Sequence, residues 1–158
     1  MFRELIRSHL ALSQEECAEI LKNERRGVLA VHGDDGYPYA MPMNHYYNEE
    51  DGHIYFHGGM EGHKIDSIKA NAKVSYCVFD QGTPNANTWA LTVKSVIVFG
   101  HAKVVEDQEK AMAMTRKLCY KFTDDEEYIN GEFERSAFRT LCFEIVPDHI
   151  SGKRVLES

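Results

Sequence analysis

The chain has 158 residues, 43% of them hydrophobic, which suits one domain, residues 1–158, with a sizeable core. Its formal net charge of -7, and 18 Lys and Arg residues scattered along the chain, exclude a basic nucleic-acid-binding tract. No stretch approaches the roughly 20 apolar residues of a membrane span and no signal-peptide core opens the chain, so a cytoplasmic protein with no membrane partner is expected.

Ser13 and Glu16 form a capping-box pattern ahead of Cys17, Ala18, Ile20 and Leu21, predicting a short amphipathic helix that ends near Gly27. A strand over 28–31 follows, then an Asp35-Gly36 hairpin and a returning strand over 39–47. Pro42 cannot donate to a ladder, so that strand must lie at an edge or carry a bulge. Asp51-Gly52 marks the next turn, after which Ile54 and Phe56 alternate with Tyr55 and His57 on opposite faces of a third strand.

A short helix with Ile65 and Ile68 on one face is expected to stop near Asn71, before a strand over 73–79 and a loop over 81–87. Residues 88–105 read as one long strand with a bulge or bend at Gly100. Asp107 caps a helix carrying Ala111, Met114 and Leu118, and Asp124 with Glu127 suggests a second helical start before Phe138. A last strand over 140–146 is expected to end at Pro147. Antiparallel strands with hairpin turns and few helices predict a mainly β fold, a six-stranded antiparallel barrel.

The piece richest in chemistry is 51–70, where a strand runs through a glycine-rich loop into a helix. Gly58, Gly59 and Gly62 permit close backbone approach, and His63 and Lys64 open a helix whose first amides have no internal partner. Such a junction suits a phosphate, and hence a phosphorylated cofactor. Cys17, Cys77, Cys119 and Cys142 form no CxxC pair and read as reduced thiols, mostly buried. His45, His53, His57, His63 and His101 come from different strand faces and a loop and show no HxxxH or HExxH pairing on a helix, so no metal centre is expected. Nucleophile-elbow, Walker and dinucleotide-fingerprint motifs are absent too.

GVLAVHGDDGYPYAMPMNHYY at 27–47, HIYFHGGMEGHKID at 53–66 and KSVIVFGHAKVVED at 94–107 together resemble the flavin-binding split-barrel family related to pyridoxamine 5′-phosphate oxidase, including its nitroimidazole-resistance (Nim-type) flavoproteins. The resemblance implies a homodimer with FMN in clefts at the subunit interface. It implies that Met41, Pro42, Met43 and Asn44 line the flavin ring, and that Gly58, Gly62, His63 and Lys64 surround its phosphate, with His63 standing where the family carries Arg or Lys. Ser95 and Val96 match the family's second flavin-contacting strand, with Lys94 a further cation and Trp89 a stacking surface near the ring.

His57 matches the histidine that Nim-type proteins place beside the flavin ring, and is the expected catalytic proton donor or acceptor. The function so implied is an FMN-dependent oxidoreductase, nitroreductase-like, acting on a small electron-poor compound, with NAD(P)H a candidate electron donor that binds over the same cleft. The alternative is a noncatalytic split-barrel module that holds flavin or haem.

Overall fold

A computed structural model of the protein describes residues 1–136 and 140–157. The first helix, α1 (Gln14–Asn23), begins at the expected capping box: the Glu16 amide donates to Ser13 Oγ at 3.1 Å and the Ser13 amide to Glu16 Oε1 at 3.3 Å. It stops well before Gly27, which lies inside β1 (Arg26–His32). A Cβ on Gly27 would come within 2.4 Å of the Cys77 carbonyl, so glycine there serves sheet packing rather than helix termination.

Asp35 and Gly36 take positive φ angles of 55° and 78° and turn β1 into β2 (Pro38–Asn44), as the Asp-Gly pair predicts. Pro42 pairs with Val28 on the sheet's edge strand. The expected strand over 39–47 is in fact two strands, β2 and β3 (Tyr46–Asn48), separated by His45. They stand at opposite ends of the sheet order β2-β1-β5-β7-β8-β4-β3. Asp51-Gly52 then turns β3 into β4 (His53–Gly59), with Gly52 at φ 73°.

Helix α2 (His63–Ala70) ends at Asn71, and β5 (Lys73–Phe79) follows with the expected bounds. The expected loop over 81–87 contains a two-residue strand, β6 (Thr83–Pro84), paired with β7 (Leu91–Val104). Asp107 caps α3 (Gln108–Tyr120) through the Lys110 amide at 3.2 Å. The next cap is Asp125, not Asp124: its Oδ1 accepts from the Tyr128 amide at 2.9 Å at the start of α4 (Glu126–Ser136). Phe138, the expected limit of that helix, lies outside the described residues.

Pro147 does not end the last strand. Strand β8 runs Thr140–Glu157 because the register slips between Phe99 and Gly100, so that Gly100 faces Pro147 while Phe99 faces His149. Six long strands match the six expected; the short β3 and β6 are additional. The curled antiparallel sheet is a split barrel, its core built from residues such as Leu29, Ile54, Phe56, Tyr76, Val98 and Phe143. Both faces of β4 are covered, since Tyr55 packs with Val105, Met114 and Cys142 in a second, smaller core. Among the described residues, no helix is long and apolar enough to cross a membrane.

Candidate functional site

Strand β4 delivers His57, Gly58 and Gly59 to the rim of the barrel, and the chain then swings into α2 through Gly62. Gly62 has φ 129°, a backbone region that L side chains rarely adopt, and as the residue before the helix it has no side chain to cap it. The first amide of this turn to find a carbonyl is that of Asp66, which donates to Gly62 at 3.0 Å. The amides of His63, Lys64 and Ile65 have no partner among the described residues, and with the helix dipole they favour an anion.

Lys64 occupies the same junction. Its ammonium lies 3.4 Å from Met43 Sδ and 5.9 Å from the Phe143 ring centroid, with no carboxylate partner among the described residues. A Cβ on Gly58 would sit 3.3 Å from that ammonium, so glycine leaves it room. Burial pushes the Lys64 pKa down, as expected of a half-sheltered cation lacking a counterion. His57, at the rim, is also held below its ordinary pKa, first by the protein atoms that displace water from its ring and then by the Lys64 charge. Among the described residues, the junction thus joins a neutral imidazole, an ammonium without a carboxylate and three open amides.

Other expected residues take different stations. His63 stacks on Tyr39 at 4.2 Å between ring centroids, with Nε2 3.6 Å from Asp34, so its ring is already engaged by these two residues. Met41 and Met43 pack against the core, while Pro42 and Asn44 face outward, Asn44 accepting from Arg26 Nε at 3.2 Å. Lys94 differs from Lys64 in having a carboxylate, Glu16, at 3.7 Å. The Val96 side chain is fully buried in the core, leaving only its backbone for any ligand, while Ser95 is half-buried on the outer face. Trp89 is 80% exposed in the loop before β7, not within a strand.

A single copy keeps the two groups apart. His57 pairs with Cys142 and Ser95 with Lys153, so the rim of β4 and the Ser95 region lie at opposite halves of β8. At about 3.3 Å per residue that separation is on the order of 35 Å of strand.

Two clusters carry no signal in residue spacing. His45 is fully buried, with Nε2 2.6 Å from the Leu21 carbonyl and Nδ1 2.7 Å from the Tyr76 hydroxyl, which also reaches the Met43 carbonyl at 2.8 Å. Burial, with a lesser push from Lys121, lowers the His45 pKa to about 4, so the ring is neutral. Asp51, His53 and Glu144 place ligand-type atoms within 4.8 Å of one another. Lys103 and Lys110 stand 3.4 and 3.7 Å from Glu144 and already balance its charge, making this an ion-pair network.

The pyridoxamine 5′-phosphate oxidase family model matches residues 13–154, and the chain belongs to that family. No curated protein matches it. Among solved structures it is similar to a candidate 5-nitroimidazole antibiotic resistance protein from Bacteroides thetaiotaomicron, at 19% identity and a TM-score of 0.78, over 92% of this chain and 86% of that one. It is also similar to an FAD-binding protein from Mesorhizobium loti, at 27% identity and a TM-score of 0.64, over 92% and 96% of the two chains. A flavocytochrome from Azotobacter vinelandii shares 19% identity and a TM-score of 0.73, over 98% of this chain and 73% of that one.

Proposed function

We propose that this protein is an FMN-binding oxidoreductase that reduces a small, flat, electron-poor compound such as a nitroaromatic, in a cleft formed by two copies of the chain. The observation that carries the reading is the Lys64 ammonium, which among the described residues has no carboxylate partner and stands at the helix start where three amides are open. A phosphate dianion would complete that junction. Membership of the pyridoxamine 5′-phosphate oxidase family and likeness to an FAD-binding protein support a flavin there. Likeness to a candidate nitroimidazole-resistance protein supports the choice of acceptor.

Lys64 and the α2 amides would hold the phosphate, and Met41, Pro42, Met43 and Asn44 would meet the ring. Flavin, when bound, supplies the electron pair that reduces the acceptor. His57, neutral near pH 7 and reachable from solvent, can pass a proton at a ring nitrogen to or from a compound beside β4. The wide separation of His57 from Ser95 favours a cleft in which Lys94, Ser95 and Trp89 come from a second copy. The outward sheet surface offers an apolar patch for that contact, with Val28, Phe79 and Phe99 all exposed.

The test is an absorption spectrum after incubation with FMN, followed by turnover with NAD(P)H and a nitroimidazole. A band near roughly 450 nm with turnover supports the reading. Protein that takes up no FMN overturns it, and FMN uptake without turnover reduces it to a flavin carrier. A sharp band near roughly 400 nm from copurified pigment assigns the site to haem instead. Sedimentation of the FMN-loaded form as a monomer would overturn the shared cleft.

A further inference from the structure

A cavity of about 340 Å³ lies among α1, β3 and α3, lined by Lys22, Tyr46, Tyr47, Lys117, Tyr120 and Lys121. Its volume falls within the usual range for small-molecule sites. None of its lining residues belongs to the junction of β2, β4 and α2 described above.

Three lysines line it, in a chain whose formal net charge is -7. Lys22 has one carboxylate, Glu49, at 3.2 Å. Lys121 donates to the carbonyls of Glu24 at 2.6 Å and His45 at 2.7 Å, bonds that fix its position, and the Glu24 carboxylate near it offsets part of its charge. Lys117 has the Tyr46 ring, 5.8 Å from its centroid, and no carboxylate among the described residues. The Tyr120 hydroxyl donates to Glu126, but those of Tyr46 and Tyr47 find no hydrogen-bond partner among the described residues. With Lys22 beside Glu49 and Lys121 beside the Glu24 carboxylate, Lys117 is the lining ammonium that lacks a carboxylate among the described residues, and an anion would complete it. The phenol rings add flat apolar walls, and the Tyr46 and Tyr47 hydroxyls add donors without a partner among the described residues.

We propose that this cavity binds a small planar organic anion, an aromatic ring bearing a carboxylate or a phosphate, with the ring against the tyrosines and the charge at Lys117. Lys121, tied to two carbonyls that belong to different elements, is the fixed wall of the site.

The experiment is calorimetric titration of the Lys64→Ala protein with phenyl phosphate, benzoate and inorganic phosphate. The Lys64→Ala background removes the ammonium of the other anion site, so its loss of flavin is read separately. Saturable binding of phenyl phosphate or benzoate is expected, whichever is tighter naming the anionic group, and inorganic phosphate should bind at least about tenfold more weakly. Lys117→Glu should weaken the aromatic anion by at least about tenfold, and Tyr46→Leu should weaken it too, with circular dichroism unchanged in both. No saturation by either aromatic anion up to about 10 mM, or unchanged affinity in folded Lys117→Glu, would overturn the proposal. Inorganic phosphate binding as tightly as phenyl phosphate would remove the aromatic component and overturn it as well.

Discussion

The Lys64 ammonium stands close enough to His57 to lower the pKa of its ring, adding to the larger effect of burial. The two side chains come from different elements, α2 and β4, yet they share one electrostatic environment. Charge at Lys64 therefore adds to burial in favouring the neutral form of His57. Removing the ammonium in Lys64→Ala should raise the His57 pKa, because a repulsive positive neighbour is lost. Imidazole proton shifts followed by NMR from pH 5 to pH 8 would check it, these values bracketing the ordinary histidine range of about 6.5. An unchanged titration would uncouple the pair.

The same substitution bears on cofactor affinity. Losing one charge-assisted hydrogen bond to phosphate should weaken FMN binding by about 1.5 to 3 kcal/mol. Quenching of flavin fluorescence gives the dissociation constant directly. Affinity equal to that of the parent protein would remove Lys64 from the phosphate site.

His57→Ala should retain FMN and slow reduction of the acceptor, since the ring lies at the rim and has no place in the packed core. Flavin content by absorbance and single-turnover reoxidation rates separate the two effects. An equal loss of both would make His57 a binding residue.

Acid should destabilise the fold through His45. Its pKa is about 4 in the folded protein against an ordinary 6.5, so between those values the unfolded chain binds more protons. Stability is complete above pH 6.5 and is lost as pH falls towards 4, a span worth about 3 kcal/mol for this group. Urea unfolding at successive pH values should show the slope, and His45→Gln should flatten it even if it lowers stability overall.

Gly100→Ala should destabilise by about 1 to 3 kcal/mol or more, since overpacking at a rigid backbone forces strands apart. The added Cβ would meet the Val146 carbonyl at 2.5 Å and Ile145 Cγ2 at 2.6 Å, at the register slip that admits Pro147. A thermal melt checks it. Gly36→Ala meets no neighbour but sits at φ 78°, so its cost is conformational and should be smaller.

Features written in neighbouring residues were legible in the sequence. Ser13 with Glu16, Asp35 with Gly36, and Asp107 before α3 act within a few residues, and each appears where its local chemistry places it. The glycine loop leading to Lys64 was legible for the same reason, because a strand, three glycines and a cation follow one another directly. The break at His45 was not, because its partners Leu21 and Tyr76 lie 24 and 31 residues away. Pro147 misled because the slip that accommodates it belongs to the opposite strand, at Gly100. The cavity at Lys117 was equally hidden, its walls being drawn from three elements with no common spacing.

The single residue His45 links two strands that border opposite margins of the sheet. Peeling at either border therefore pulls on the same buried ring and on its grip on Leu21 and Tyr76. The borders should fray together, with amides of both exchanging hydrogen at one common rate.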